Sequence, residues 1–512
     1  MRLAIDIGGT FTDIVLENEH ELLTKKVLTS IAQPELAVIE GISDLLNENN
    51  INSSEIKMII HGTTLATNAI IERKGAKTCF ITTEGFRDVL DIGYESRFDQ
   101  YDILIEKTMS LVPRKHRYVI EERTDINGSQ IKPINTTQFK KLIEKIKSEN
   151  FESIGIGFLH SYANSENENI LKEFIFNNLP GVEVSISSEV CPEIREYERF
   201  TTTVINAYIK PLMSNYLKKL EYELIEKGFN CPLLLMTSGG TLTNIPSACN
   251  NPVRLVESGP AGGAILATSI ARDLGLNKVI SFDMGGTTAK ITVIENKKAI
   301  KAREFEVDRK ARFKKGSGFP LRIPVIEMVE IGAGGGSIAR VNKLEQIITG
   351  PDSAGSLPGP ACYCNGGTLP TITDADLIIG KINPENFAGG KIKLSKDLAA
   401  DAITKNISQI VNLDMDTAAL AISEIVDETM SNAARVHTVE QGHETSSRTL
   451  IAFGGAAPLH VARVAEKLKV SSIIIPTNAS VGSAVGFLKA PVGYEVVKSL
   501  RTLLKAFPVK KV

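Results

Sequence analysis

Two copies of one short motif contain the residues best suited to chemistry in this sequence. Asp6-Ile-Gly-Gly-Thr10 and Asp283-Met-Gly-Gly-Thr287 each follow an apolar run typical of a strand, and a second apolar run follows each. Glycine lets backbone N–H groups approach an anion closely, and a threonine hydroxyl donates hydrogen bonds to phosphate oxygens. A single copy fits a plain hairpin equally well, but two matched copies favour a nucleotide site.

Asp6 and Asp283 stand directly before the glycines, at the predicted strand ends. Mg²⁺ prefers one or two carboxylates together with phosphate oxygens, so two such acids facing a nucleotide hold it through water. We therefore predict that both aspartates are catalytic and hold Mg²⁺. The residues predicted to bind the phosphates are Gly8, Gly9, Thr10 and Thr12 in the first copy, and Gly285, Gly286 and Thr287 in the second.

Further glycine-rich segments extend the predicted phosphate cage. Gly334 and Gly335 belong to one of them, and Gly454-Gly455-Ala456 opens a predicted helix, which suits an adenosine or phosphate contact as well as a plain strand-to-helix turn. None of these segments has the P-loop or dinucleotide spacing. Lys290 replaces an aspartate of the first copy, and it either approaches phosphate or lies at a solvated edge.

A second group of polar residues ends another predicted strand. Thr63 and Thr64 follow His61 at this strand end, and Asn68 begins the next helix. We predict that the threonines and the asparagine contact substrate. His61 either contacts substrate or γ-phosphate, or is a hydrogen-bonded core residue. Glu330 is a further catalytic candidate, and the sequence leaves the general base unassigned.

The elements that position these residues alternate between strands and helices. The two motif hairpins, half a chain apart, indicate a duplicated α/β architecture. Residues 84–131 are less regular and are interpreted as an insertion. Strands are predicted at 57–62, 77–83, 150–158, 232–237 and 450–453, and helices at 66–73, 203–227, 418–436 and 459–467.

Composition narrows the class of protein. Lys and Arg number 58 against 60 Asp and Glu, for a net charge of −2, which gives no electrostatic reason to expect nucleic acid or an anionic membrane as a partner. The 43% of hydrophobic residues fits a globular chain. Six scattered cysteines and an N-terminus without an export signal predict a cytoplasmic location, and seven scattered histidines argue against a zinc hydrolase.

Taken together, the motifs resemble those of the hydantoinase A/5-oxoprolinase family over about residues 1 to 490. The resemblance implies an α/β fold of two ribonuclease H-like lobes that close on ATP, as in acetate and sugar kinases, chaperones and actin. It also implies sequence domains at 1–180 and 190–490, a second lobe starting near residue 278, and a short tail at 491–512 in place of the usual C-terminal extension. The segments that carry it are 6–13, 61–68, 84–88, 190–198, 283–288, 330–337, 358–363 and 452–460.

The resemblance further implies a function. Similar proteins use ATP and Mg²⁺ to hydrolyse cyclic amides such as hydantoins, 5-oxoproline or lactams, and they work with a B-type subunit in a hetero-oligomer. Other relatives serve ketone carboxylases, which is the alternative function, and an actin- or chaperone-like ATPase is the third. Thr288-Ala-Lys290 departs from the Ser-Thr-Asp version of the second motif, which leaves the substrate branch open.

Overall fold

The computed structural model describes residues 1–9, 11–29, 33–311, 314–390, 392–499 and 502. The strands are β1 (Arg2–Ile7), β2 (Phe11–Glu17), β3 (Leu22–Leu28), β4 (Met58–Thr63), β5 (Thr78–Thr83), β6 (Arg117–Ile120), β7 (Arg123–Thr124), β8 (Gln130–Lys132), β9 (Ser153–Gly157), β10 (Glu183–Ile186), β11 (Leu233–Met236), β12 (Leu242–Asn244), β13 (Lys278–Met284), β14 (Ala289–Glu295), β15 (Lys298–Ala299), β16 (Lys301–Ala302), β17 (Phe305–Val307), β18 (Phe319–Leu321), β19 (Val325–Ile326), β20 (Met328–Ile331), β21 (Ser337–Val341), β22 (Ile347–Ser353), β23 (Thr449–Phe453) and β24 (Ser472–Ile474). The α-helices are α1 (Pro34–Glu48), α2 (Leu65–Ile71), α3 (Val89–Ile92), α4 (Phe139–Glu149), α5 (Glu166–Asn178), α6 (Ser187–Val190), α7 (Glu196–Glu226), α8 (Ile245–Asn250), α9 (Ser258–Asp273), α10 (Ile372–Ile378), α11 (Lys396–Ile403), α12 (Gln409–Val411), α13 (Met415–Glu440), α14 (Ala457–Leu468) and α15 (Gly482–Phe487).

Two sheets share one topology, which confirms the predicted duplication. In the first, the order is β12-β11-β4-β1-β2-β3, and in the second it is β15-β14-β13-β23-β24, with β20 also paired to β14. In each, the strand that carries the motif aspartate pairs antiparallel with the next strand on one side and parallel with a later strand on the other. This is the ribonuclease H-like arrangement. In chain order, the first strand of the second sheet is β13, which begins at Lys278.

Helices α9 and α15 lie between the two sheets. Ala4 and Ile60 of the first sheet, Ile451 of the second, and Ala264 and Phe487 of the two helices belong to one buried cluster. The small side chains along α9 let both sheets approach it closely, because packed interiors leave few voids. The loops that follow β1 and β13 are therefore held next to each other.

The remaining elements flank these layers. A four-stranded parallel sheet of order β10-β9-β5-β6 lies beside α7, and most of the predicted insertion contributes short elements to it and to the neighbouring β7–β8 hairpin. Helix α7 continues through Pro211. Helices α10, α13 and α14 cover the second sheet. Within the described residues, no helix is long and apolar enough to cross a membrane.

Candidate active site

The first motif forms the turn between β1 and β2. Asp6 pairs with Asp13 across this hairpin, and the Gly8 N–H donates to the Phe11 carbonyl at 3.0 Å. Gly9 is exposed at the tip. Thr10, predicted to bind phosphate, lies outside the described residues.

The second motif forms the equivalent turn between β13 and β14. Asp283 pairs with Lys290, and the Gly285 N–H donates to the Thr288 carbonyl at 3.2 Å. Gly286 and Thr287 are exposed at the tip. The tip therefore presents backbone and hydroxyl groups to the cleft between the lobes.

The two turns face each other, and α9 passes behind them. A Cβ atom placed on Gly9 would lie 4.0 Å from Thr287 Oγ1. A Cβ on Gly259 would lie 3.1 Å from Asp6 Oδ1, and one on Gly263 would lie 3.4 Å from Asp283 Oδ2. Glycines at these positions of α9 thus let both carboxylates reach the base of one cleft.

The two carboxylates are costly to ionise where they lie. Burial, together with the charges of Asp13 and Asp283, raises the pKa of Asp6 to about 7 despite the opposing Lys290 and Lys26. Burial also raises the pKa of Asp283 to about 6, against the opposing charge of Lys290. Asp6 Oδ1 is buried and has no hydrogen-bond partner among the described groups. An added cation would relieve both penalties.

Asp6 and Asp283 suit Mg²⁺ better than a metal ion that takes all of its ligands from protein side chains. Among the described residues, no group of three or more His, Cys, Asp or Glu side chains is arranged to hold a metal ion. Mg²⁺ needs fewer protein ligands, because it keeps several waters and takes phosphate oxygens. The unpartnered oxygen of Asp6 and the buried carboxylate of Asp283 are donors of the required kind.

Lys290 lies among carboxylates rather than at a solvated edge. Its Nζ atom donates to Thr288 Oγ1 at 2.9 Å and lies 3.6 Å from Glu330 Oε1. Burial acts to lower its pKa, but the charges of Glu330, Glu257, Asp283 and Asp6 outweigh this and raise it. Lys290 is therefore a protonated cation at the cleft.

The Gly334–Gly335 segment supports the second turn, which corrects our assignment of these N–H groups to phosphate. The Gly334 N–H donates to Ser337 Oγ at 2.9 Å, and the Gly335 N–H donates to the Gly285 carbonyl at 3.1 Å. A Cβ on Gly334 would lie 2.6 Å from the Thr287 nitrogen. Both donors are satisfied within the protein, so the segment positions the turn.

Thr12, which was predicted to bind phosphate, also makes a supporting contact within the protein. Its buried hydroxyl lies 3.1 Å from that of Thr29, which in turn donates to the Gly8 carbonyl at 3.0 Å. Thr12 therefore fixes the first turn from behind.

The Gly454–Ala456 segment lies directly beside Asp283. Gly454 has φ +91°, and a Cβ there would lie 2.5 Å from Asp283 Oδ1, so this position requires glycine. The Ala456 N–H donates to the Met284 carbonyl at 2.9 Å. Gly455 is exposed and faces open space, where a nucleotide has access to it.

Thr63, Thr64 and Asn68 lie at the end of β4 and the start of α2, next to the first turn. Thr64 Oγ1 donates to the Ile7 carbonyl at 3.2 Å and accepts from Asn68 Nδ2 at 3.4 Å. Thr63 is buried. Its backbone N–H donates to Ser258 Oγ at 3.2 Å, and its carbonyl accepts from the same hydroxyl at 3.2 Å. Thr64 and Asn68 are the partly exposed members of this group.

His61 lies away from the cleft. Its ring is fully buried, with Nε2 2.8 Å from the Tyr216 hydroxyl of α7 and Nδ1 3.3 Å from the Ile5 carbonyl. Burial lowers its pKa to about 4, so the ring is neutral. Of the two readings of His61, this placement matches the core residue and gives the catalytic one no support.

The sequence analysis missed Glu257. This residue lies beside the start of α2, at the end of the cleft where Thr64 and Asn68 lie. It immediately precedes α9, and burial raises the pKa of its carboxyl to about 7 together with the charge of Glu330 and against that of Lys290. The available signal was an acid directly before the Ser258-Gly-Pro-Ala-Gly-Gly263 run that opens a helix.

A cavity of about 920 Å³ lies elsewhere in the described part of the chain. It is a surface groove beside β10 that Lys172, Phe176 and Lys210 help to line. None of the predicted site residues lines it. We therefore place the candidate site in the cleft between the lobes, where the buried carboxylates and the glycine turns converge.

Both sequence regions match one family. Residues 2–179 match the hydantoinase/oxoprolinase N-terminal region, and residues 199–496 match hydantoinase/oxoprolinase. The chain belongs to the hydantoinase/oxoprolinase family. Members of this family are ATP-dependent enzymes.

Three relatives show how far the similarity extends within this family. An uncharacterized protein of Methanocaldococcus jannaschii is 43% identical over 98% of this chain and 74% of its own length. Caprolactamase subunit alpha of Pseudomonas jessenii is 32% identical over 98% of this chain and 71% of its own. Acetophenone carboxylase gamma subunit of Aromatoleum aromaticum is 29% identical over 94% of this chain and 67% of its own length.

Two solved structures of hydantoinase/oxoprolinase relatives share the fold. ATP-dependent caprolactamase from Pseudomonas jessenii superposes with a TM-score of 0.82 at 31% identity, covering 96% of this chain and 71% of that one. Nucleotide-free acetone carboxylase superposes with a TM-score of 0.83 at 26% identity, covering 95% and 69%. The actin-like, two-lobed α/β fold is thus shared with enzymes of both substrate branches.

Proposed function

We propose that this chain is the ATP-using subunit of an enzyme that hydrolyses a cyclic amide such as a hydantoin, 5-oxoproline or a lactam. The observation that carries the proposal is the pair of Asp-x-Gly-Gly-Thr hairpins whose buried carboxylates meet at the base of one cleft. The similarity to a caprolactamase subunit over nearly the whole chain supports the amide as the substrate class.

The proposed reaction phosphorylates the amide carbonyl oxygen. An unstrained amide resists water, and phosphorylation turns it into an activated, imidate-like electrophile. The task of the protein is then to position the two reactants and to stabilise phosphate charge. When bound through water to Asp6 and Asp283, Mg²⁺ neutralises charge on the phosphates.

The residues of this chain divide that task. The exposed turns at Gly8–Gly9 and Gly285–Thr287 approach the phosphates from the two lobes, and Gly455 and Ala456 approach the adenosine side. Lys290 contributes a protonated amine from the second lobe. Thr64 and Asn68 lie at the end of the cleft proposed for the cyclic amide.

A hydantoinase B-type subunit completes the proposed enzyme. In this proposal the partner carries out the reaction of the activated amide with water, and the two chains form a hetero-oligomer. The caprolactamase and acetophenone carboxylase relatives are both named as subunits, which supports a multi-chain enzyme.

A ketone carboxylase subunit is the second candidate function. The similarity to acetophenone carboxylase and the superposition on acetone carboxylase favour it. The same carbonyl phosphorylation applies, with a ketone in place of the amide. A third function, an actin- or chaperone-like ATPase, predicts ATP hydrolysis that responds to unfolded peptide or self-assembly.

One assay separates the three functions. ADP release is measured with hydantoin, 5-oxoproline, caprolactam, or acetophenone plus bicarbonate, each with and without a hydantoinase B-type subunit. Stimulation by one of the three amides supports the proposal, and stimulation by acetophenone alone transfers it to the carboxylase branch. ATP hydrolysis that ignores every small substrate but responds to unfolded peptide or self-assembly contradicts both.

A further inference from the structure

Glu257 is held in a backbone conformation that only glycine adopts freely. It has φ 61° and ψ 30°, directly before α9. A non-glycine residue in this left-handed region is strained and persists where its surroundings fix it, often at functional sites. Here the sequence retains a carboxylate at a position where glycine would be free of strain.

Contacts to the first lobe fix this conformation. The Glu257 N–H donates to Thr67 Oγ1 at 3.3 Å, and the Thr67 hydroxyl also hydrogen-bonds the carboxylate. The next residue, Ser258, donates to the Thr63 carbonyl at 3.2 Å. The start of α9 is thereby joined to the end of β4 and the start of α2, where the substrate contacts are proposed.

The carboxylate faces charged groups of the second lobe. Lys290 of β14 and Glu330 of β20 act on it from across the cleft, and Thr67 of α2 hydrogen-bonds it from its own side. Two residues further along the chain, Gly259 packs against Asp6. Glu257 therefore stands between the proposed metal-holding carboxylate and the proposed amide contacts.

The other acid-base groups near the cleft have different tasks or partners. Asp6 and Asp283 are assigned to Mg²⁺, and the Asp13 carboxylate is paired with Lys26. Glu330 is 46% exposed and pairs with Lys290. Glu257 is half-buried, and it forms no ion pair with any residue that the structure describes.

We propose that Glu257 is the general base that removes the proton from the substrate atom next to the carbonyl carbon while the carbonyl oxygen is phosphorylated. For a cyclic amide this atom is the ring nitrogen. The N–H bond breaks, its electron pair forms a C=N bond, and the carbonyl π pair forms the new O–P bond. The bond from the γ-phosphorus to the bridging oxygen breaks, ADP leaves with that pair, and the proton goes to a Glu257 carboxylate oxygen.

This role rests on the proposed carbonyl phosphorylation but not on the branch of substrate. For a ketone, the same base removes a proton from the α-carbon, and the product is an enol phosphate. A carboxyl whose pKa lies near neutrality suits such proton transfer, because the base is then available without being too weak. Both branches therefore use the same residue in the same place.

The test compares the wild-type chain with Glu257→Gln, each with the B-type partner and with caprolactam, 5-oxoproline or hydantoin as probe. Glutamine keeps an acceptor for Thr67 but does not remove a proton. We expect substrate-stimulated ADP release to fall by about 10²- to 10⁴-fold in kcat. Thermal stabilisation by a non-hydrolysable Mg·ATP analogue should stay as in wild type. Under saturating Mg·ATP, which keeps Asp6 and Asp283 ionised, the wild-type kcat should rise with pH through a limb near 7, and this limb should be absent from the residual activity of the variant.

A substrate control and a second variant keep the inference falsifiable. N-Methylcaprolactam has no ring N–H, so it should not stimulate either protein. Should Glu257→Gln fail to fold, Glu257→Asp retains a displaced carboxylate and should lose kcat while binding the analogue normally.

Three outcomes overturn the inference. Stimulation of the wild type with unchanged kcat and an unchanged pH limb in Glu257→Gln removes Glu257 and leaves the proposed function standing. Unchanged kcat in Glu257→Asp, where only that variant folds, does the same. A wild-type chain that no amide or ketone stimulates overturns the proposed function and this inference with it.

Discussion

Asp6 and His61 lie on neighbouring strands, but they face opposite sides of the same sheet. β1 and β4 pair in parallel with Ile5 opposite His61 and Asp6 opposite Gly62. Because successive side chains of a strand alternate, the aspartate faces the cleft and the histidine faces α7. At the scale of single residues, strand register therefore assigns one to chemistry and the other to the core.

The aspartates should be needed for turnover and dispensable for folding. Asp6→Asn and Asp283→Asn should each lower Mg·ATP turnover by orders of magnitude, because each removes a charge that a metal–nucleotide complex needs. Neither should lower the unfolding midpoint, since each also removes a buried charge. ADP release and thermal unfolding measure the two effects. Asp273→Asn, at an exposed end of α9, is the matched control, and near-wild-type turnover in both site variants would refute the metal roles.

His61 should be needed for stability and dispensable for turnover. His61→Ala leaves the buried Tyr216 hydroxyl without its partner, so the free energy of unfolding should fall by about 1 to 3 kcal/mol. The kcat of the folded variant should be unchanged. Urea unfolding and ADP release test this together. A large loss of kcat at unchanged stability would return His61 to the list of catalytic candidates.

At the scale of elements, two close packings hold the site together. Helix α15 crosses α9 so closely that a Cβ on Gly486 would lie 1.9 Å from the Gly262 carbonyl oxygen. Helices α10, α13 and α14 meet at His460, whose Nδ1 lies 2.8 Å from Asp427 Oδ1 and whose Nε2 lies 3.0 Å from Asp376 Oδ2. The first packing sets the distance between the lobes, and the second holds the helix that follows Gly455.

Gly486→Ala should separate α15 from α9. An overpacked core position costs typically about 1 to 3 kcal/mol, and backbone atoms leave little room for relief here. We expect a lower unfolding midpoint and weaker binding of an ATP analogue, because the two turns move apart. Asp273→Ala, on the exposed side of α9, controls for changes in helix propensity. Wild-type stability in Gly486→Ala would contradict this account of the packing.

His460 should make stability depend on pH. Burial acts to lower its pKa, but the hydrogen bonds and charges of Asp376 and Asp427 outweigh this and raise it to about 9. The Lys381 Nζ atom also lies near this pair, 3.4 Å from Asp376 Oδ1. Since the folded pKa exceeds the unfolded value, the stabilisation is complete below about pH 6.5 and is lost as the pH rises through about 9.

Thermal unfolding between pH 6 and pH 10 measures this dependence. The midpoint of the wild type should fall across the upper half of the range. His460→Leu should unfold more easily by about 3 to 5 kcal/mol at pH 6, because it leaves the buried Asp427 carboxylate without its cation and Asp376 with Lys381 alone. The unfolding midpoint of this variant should also fall much less than that of the wild type between pH 6 and pH 10. An identical pH profile in both proteins would show that His460 is neutral.

At the scale of the whole molecule, the two lobes meet where the turns that follow β1 and β13 face each other. A ligand that touches both lobes should stabilise them as one unit. A non-hydrolysable ATP analogue with Mg²⁺ at 100 times its Kd should add about 2.7 kcal/mol to the free energy of unfolding.

Calorimetry with and without the analogue tests this linkage. The wild type and the Asp273→Asn control should show the same upward shift. Asp283→Asn should lose most of the shift, since its turn no longer supplies a charge for the metal. An equal shift in all three proteins would place the nucleotide elsewhere.

The sequence alone determined the features that repeat along the chain. The two Asp-x-Gly-Gly-Thr runs, each between apolar segments, predicted two hairpins and a duplicated α/β fold, because a local pattern of strand, turn and strand does not depend on distant contacts. Their glycines were correctly placed at tight turns. Thr64 was likewise placed at a strand end, and Asn68 in the helix that follows it.

Only the tertiary structure decided which of these residues share the cleft. The N–H groups of Gly334 and Gly335 are as suitable for phosphate as those of Gly285 until the fold pairs them with protein acceptors. His61 is a plausible base until the register of β4 turns it into the core. Glu257 carries no motif of its own, and it becomes a candidate base only because the start of α9 places it, half-buried, opposite Lys290 and Glu330. Burial and charge depend on residues far away in the chain, so a linear pattern does not contain them.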